Sequence, residues 1–142
     1  MAKIGYIMAA AHYDKLEEDR QWMQEYGCVK IVEENDADEK SRPLWKQLMI
    51  ALDRGDELVI SKFSNALRGA RELAMFLEFC RVKVIRVISI HDRIDSNNEL
   101  FPETKPSDVL LMIGSLPDEA LVLRKASEHV SKLQERMIVQ LP

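Results

Sequence analysis

Short apolar runs alternate with longer amphipathic stretches along the first two-thirds of the chain. The short runs predict four buried strands, at 3–11, 28–33, 57–63 and 82–90. The amphipathic stretches predict helices at 14–26, 43–55 and 66–80, with polar loops at 35–42 and 92–106. Strands that alternate with helices of this length usually pair in parallel. The pattern therefore predicts a three-layer α/β fold, with a mainly parallel sheet of four or five strands and helices on both faces.

The last segment has a different pattern, in which apolar positions are separated by alternating steps of four and three. The apolar positions are Val109, Ile113, Leu116, Ala120, Leu123, Val130 and Met137, and polar Ser127 and Gln134 interrupt the stripe in the same register. This heptad-like stripe predicts a long helix over about 107–137, kinked or broken near Pro117. The stripe covers either the chain's own sheet or a second subunit. The second alternative predicts a homodimer or higher oligomer formed through the C-terminal helix.

This layout predicts one domain, 1–142, with an α/β core over about 1–105 and the long helix after it. No helix-turn-helix domain is expected within these residues. No apolar run approaches the length of a membrane span, and the first residues do not have the pattern of a signal peptide. We therefore expect no membrane association and take the cytoplasm as the default location.

The charge distribution narrows the choice of partners. The formal net charge is −4, and acidic residues are concentrated in the first forty positions. Because phosphate neutralisation by Lys and Arg supplies most non-specific DNA affinity, we expect DNA binding to be weak or absent. Cys28 and Cys80 are expected to be reduced core residues, and His12, His91 and His129 lack a metal-ligand spacing, so no metal or other cofactor is expected.

Five segments, taken in order, point to a family. They are GYIMAA at 5–10, EENDADEKSRPLWKQL at 33–48, GDELVISKF at 55–63, SNALRGAREL at 64–73 and VISIHDRID at 87–95. The first is similar to the strand Gly-Tyr-x-Arg-Val-Ser of the serine recombinases, the resolvases and invertases. The third and fourth resemble the same family's Gly-Asp-x-Leu-Val-Val-x-Lys-Leu and Asp-Arg-Leu-Gly-Arg-Ser segments. The chain thus resembles the N-terminal catalytic domain of that family over roughly 3–137.

The resemblance implies a mechanism whose parts are largely missing here. In the family, a serine at the end of the first strand attacks a DNA phosphodiester, and arginines stabilise the transferring phosphate without a metal. The corresponding degenerate positions are Met8, Ala10, Asp36, Ser64 and Asn65. Ala10 occupies the position of the nucleophile and Met8 that of an arginine. The residues that remain for a vestigial phosphate site are Arg42, Arg68 and Lys62.

A neighbouring hydroxyl is a poor replacement for the serine. The first forty residues contain no Ser or Thr, and the nearby hydroxyls are those of Tyr6 and Tyr13. Tyr6 matches a family tyrosine that is not the nucleophile. Tyr13 is expected at the start of a helix, where an exposed tyrosine is ordinary.

Three functional hypotheses follow. The leading one is a catalytically inactive serine-recombinase-like domain that self-associates or pairs with an active recombinase and modulates recombination. The second is a DNA-binding accessory or regulatory protein that keeps a vestigial phosphate site at Arg42 and Arg68. The third is an enzyme of unrelated chemistry on the same scaffold, for which the sequence offers no nucleophile or acid–base pair.

Overall fold

A five-stranded sheet forms the centre of the domain in the computed structural model, which describes residues 1–117. The strands are β1 Lys3–Ala9, β2 Lys30–Asn35, β3 Glu57–Ile60, β4 Arg86–Ser89 and β5 Ile94–Asp95. Their order across the sheet is β2-β1-β3-β4-β5. The first four strands are parallel, and β5 pairs antiparallel with β4. The predicted mainly parallel sheet is confirmed.

Helices cover both faces of this sheet, as predicted. They are α1 Leu16–Tyr26, α2 Pro43–Ala51, α3 Phe63–Ala66, α4 Gly69–Lys83 and α5 Pro106–Gly114, and a 3₁₀ turn spans Asp36–Asp38. On one face, Met23 of α1 packs with Ile7, Val59 and Ile88. On the other face, α2 and α4 bury a larger cluster that includes Trp45 and Phe76. We call these the α1 face and the α2/α4 face.

The alternation of β1 side chains determines which residues each face receives. Tyr6 and Met8 are buried on the α2/α4 face, whereas Ile7 between them is buried on the α1 face. Gly5 lies on β1 where α1 crosses closest, and an added Cβ would lie 2.4 Å from the Met23 sulfur. The glycine therefore permits α1 to pack directly on the strand.

Several predicted boundaries were wrong. The helix predicted at 66–80 corresponds to α4, which begins at Gly69 and continues to Lys83, and Ala66 belongs instead to the separate short helix α3. The strand predicted at 82–90 is shorter and begins at Arg86, because Val82 lies in the last turn of α4 and Val84 ends that helix. The strand predicted at 57–63 ends at Ile60. The loop predicted at 92–106 contains the short strand β5.

The first part of the predicted C-terminal helix is present as α5, which ends at Gly114, before Pro117. Val109 and Leu116, two positions of the predicted stripe, pack against the α2/α4 core, whereas Ile113 is 38% exposed. The remaining stripe over 118–137 lies outside the described residues, so the long helix and the domain layout stay predictions. No helix within residues 1–117 has the length and apolar character needed to cross a bilayer.

Both cysteines are free thiols, with Cys80 buried and Cys28 half-buried. Burial raises the pKa of Cys80 to about 12 and that of Cys28 to about 11, so neither is an activated thiolate. Among residues 1–117, no group of three His, Cys, Asp or Glu side chains is placed to hold a metal ion.

Candidate functional site

The turn that follows β1 carries Ala10 at the carboxyl edge of the sheet, where parallel α/β folds usually place their sites. The Ala10 amide donates to the Met8 carbonyl at 2.9 Å, and the Ala10 carbonyl accepts from the Tyr13 amide at 2.9 Å. The next amide, that of Ala11, donates to Oδ1 of Asp36 at 2.8 Å. The turn is thus closed by its own backbone and by a carboxylate from the 3₁₀ turn, and the Ala10 side chain is buried.

Asn65 of α3 fixes the last part of β1 through two hydrogen bonds. Its Oδ1 accepts from the Met8 amide at 2.9 Å, and its Nδ2 donates to the Met8 carbonyl at 2.9 Å. The β1–β3 pairing ends at Tyr6 and Ile60, so this side-chain amide continues the ladder where β3 has stopped. The Met8 side chain itself is buried in the α2/α4 core.

Arg42 is held almost entirely within the protein. It precedes α2 in a left-handed conformation, with φ of 44°, and its side chain is only 11% exposed. Its Nη1 donates to the Ala66 carbonyl at 2.6 Å, and its Nη2 contacts the Glu72 oxygens at 2.7 and 2.9 Å. The guanidinium therefore has a carboxylate partner of its own chain.

Arg68 lies against the same short helix as Arg42. Its Nη1 donates to the carbonyls of Ser64, Asn65 and Leu67 at 3.2, 3.0 and 3.1 Å, and its Nη2 lies 3.8 Å from Glu39. Burial lowers the pKa of Arg68, and the neighbouring Arg42 charge lowers it further. Both arginines thus converge on the carbonyls of one turn, at α3.

A buried carboxylate that the sequence reasoning missed lies beside them. Glu34, at the end of β2, is fully buried. It accepts from the Tyr6 hydroxyl at 3.1 Å and from the amides of Leu44 and Trp45 at 3.1 and 2.9 Å. These amides belong to the first turn of α2, where a negative charge is favoured by the helix dipole. Glu34 therefore occupies the anion-binding end of α2.

The remaining predicted positions lie near α3. Lys62 precedes α3 in an extended conformation and is half-exposed, two residues beyond the end of β3. Ser64 is half-exposed within α3. The start of α3 is fixed by Asp92, whose Oδ2 accepts from the Phe63 amide at 2.7 Å and from the Ser89 hydroxyl at 2.6 Å. All three predicted cations, Arg42, Arg68 and Lys62, therefore belong to or contact the segment around α3.

The family model of the resolvase N-terminal domain matches residues 4–113. The chain belongs to the resolvase family of serine recombinases. The resemblance noted in the sequence is thereby confirmed, and the chain carries a resolvase-like recombinase domain.

Two relatives and one solved structure are similar to this resolvase domain. The DNA-invertase of Escherichia phage P1 is 30% identical over 98 residues, which are 68% of this chain and 53% of the invertase. The DNA-invertase of Enterobacteria phage P7 is 29% identical over the same shares. The chain thus matches about half the length of these curated relatives. A resolvase-family site-specific recombinase from Streptococcus pneumoniae shares the fold, with a TM-score of 0.57, 18% identity and coverage of 99% and 97% of the two chains.

A second polar cluster lies on the α1 face of this resolvase domain, and it corrects the expectation for Tyr13. Helix α1 begins at Leu16, and Tyr13 is half-buried rather than exposed, with its hydroxyl donating to the fully buried Asp19. Asp19 Oδ1 also lies 2.5 Å from Nε2 of His91. Burial, followed by the hydrogen bond to Asp19, raises the pKa of Tyr13. A phenol with a raised pKa on the face opposite Arg42 is a poor substitute for a nucleophilic serine.

Proposed function

We propose that this chain is a catalytically inactive resolvase-like domain that works through protein contacts, either with itself or with an active recombinase. The observation that carries the proposal is the alkyl side chain of Ala10 at the position where the resemblance places the nucleophile. A methyl group cannot attack phosphorus. Removing the serine therefore removes the covalent route altogether.

The surroundings of Ala10 support the same proposal. Arg42 is occupied by Glu72 and by a backbone carbonyl, and Glu34 occupies the first turn of α2. Asp36 places a carboxylate on the turn itself. A phosphodiester arriving here would have to displace internal carboxylates, and it would meet like charge at Asp36. The cationic transition-state stabilisation that phosphoryl transfer needs is therefore weakened at Arg42 and Arg68.

A nicking assay tests the inactivity. Full-length protein is incubated with supercoiled plasmid DNA, denatured, and analysed for nicked DNA and for protein covalently attached to a DNA end. We expect neither product. A DNA-invertase acting on a plasmid that carries its own site is the positive control. Covalent capture of DNA by the parent chain would overturn the proposal, and loss of that capture in Tyr13→Phe would name the nucleophile.

The second candidate is a DNA-binding accessory protein, favoured by one observation: Arg42 and Arg68 approach the same turn of the chain. Their carboxylate partners Glu72 and Glu39 oppose it, because each cation is already paired. An electrophoretic mobility shift on duplex DNA at low salt separates the candidates. Retardation that is lost in Arg68→Gln would support the accessory role, and unretarded DNA would support protein contacts alone.

Helix α5 offers a surface for protein contacts. Leu110 and Leu111 are 69% and 72% exposed, and we call this pair the α5 ridge. These residues lie outside the stripe that the sequence predicted, whose members Val109 and Leu116 pack on the chain's own core. Two adjacent leucines in water at the surface of a small domain are a natural contact for a subunit.

Sedimentation velocity tests self-association through the α5 ridge. We expect the parent chain to form dimers or higher oligomers at micromolar concentration, and Leu111→Glu to weaken them by at least about tenfold in Kd, because a buried charge would enter the contact. Met75→Glu is the matched control, since Met75 is 67% exposed on α4 and lies outside the ridge. A parent chain that stays monomeric at high micromolar concentration would count against self-association.

A further inference from the structure

We draw no further inference here: the strongest candidate, the side-chain cluster of Tyr13, Asp19, His91 and Ser61 at the carboxyl edge of the sheet on the α1 face, carries nothing, because Tyr13 and His91 are already bonded to Asp19, Ser61 is fully buried, and nothing in the structure shows what the cluster would bind.

Discussion

Glu34 and Asp19 are buried carboxylates on opposite faces of the sheet, and the two faces stabilise them by different means. On the α2/α4 face, Glu34 accepts hydrogen bonds from the Tyr6 hydroxyl and from two amides of the first turn of α2. On the α1 face, Asp19 accepts from the Tyr13 hydroxyl and contacts His91. Both carboxylates therefore accept a hydrogen bond from a tyrosine hydroxyl. The remaining partners of Glu34 are amides at a helix N-terminus, and the remaining partner of Asp19 is the imidazole ring of His91.

The α2/α4 face presents a helix N-terminus to its buried carboxylate, and the α1 face does not. The first turn of α2 can stabilise negative charge from any source, and here the chain supplies its own in Glu34. Arg42 and Arg68 lie on that same side and are likewise occupied by carboxylates of the chain. On the α1 face, the ion-pair partner of Asp19 is His91. This contact holds α1 to the segment after β4. The face that resembles a phosphate site is thus the one that is internally neutralised.

The largest expected effect comes from removing the carboxylate on the α2/α4 face. Glu34→Leu leaves the Tyr6 hydroxyl and the amides of Leu44 and Trp45 without acceptors in a buried place. We expect the free energy of unfolding to fall by about 3–5 kcal/mol, measured by urea denaturation. Glu33→Leu is the control, because Glu33 is partly exposed and pairs with Arg20 at the surface, where a loss below about 1 kcal/mol is expected. Equal losses of stability in the two variants would contradict a special contribution of the buried Glu34 carboxylate.

The next largest effect is expected on the α1 face. His91→Leu leaves Asp19 buried with only the Tyr13 hydroxyl, and we expect a loss of about 2–3 kcal/mol. Replacing both partners, Asp19→Leu with His91→Leu, should recover most of that loss, because no uncompensated charge remains. Arg20→Leu on the same helix should change stability far less than His91→Leu, because Arg20 pairs with Glu33 at the surface. A double variant no more stable than His91→Leu would show that Asp19 and His91 are not coupled.

The smallest effect is expected in the ionisation of the tyrosines. Burial and Glu34 raise the pKa of Tyr6, burial and Asp19 raise that of Tyr13, and burial with Glu57 raises that of Tyr26 to about 12. Because the pKa is higher in the folded state, this stabilisation is full below the ordinary pKa of about 10 and is lost as pH rises through the folded values. We therefore expect little tyrosinate absorbance near pH 11 in folded protein, and titration of all three groups near pH 10 in urea. Tyrosines that titrate near pH 10 in the folded protein, as in urea, would contradict the burial of their hydroxyl groups.

Much of the fold could be predicted because the apolar runs are long enough to reveal buried strands. The incorrect predictions occurred where apolar residues lie outside a strand. Val82 and Val84 suggested a strand, but they form the exposed end of α4, and tertiary packing outweighs their β-propensity. Strand β5 has only two residues, which is too short for an alternation to be visible.

The candidate site was less accessible to sequence reasoning. The positions of Met8, Ala10 and the two arginines came from the resemblance, but the partners of those arginines come from elements distant along the chain. Two signals were present and unused. Glu34 follows Val32 by two positions on β2 and so shares its buried face, and Asp19 precedes Met23 by four positions on α1.

Strand β5 also limits how these domains can assemble. It offers only two residues at its side of the sheet, and Asp95 at its end accepts from the amides of Asn97, Glu99 and Leu100, while Arg86 pairs with the same carboxylate. The chain after β5 is thereby wrapped around a side chain instead of extending as free backbone. An incoming strand would find almost no main-chain groups to pair with at this edge, so uncontrolled sheet-to-sheet growth is blocked there.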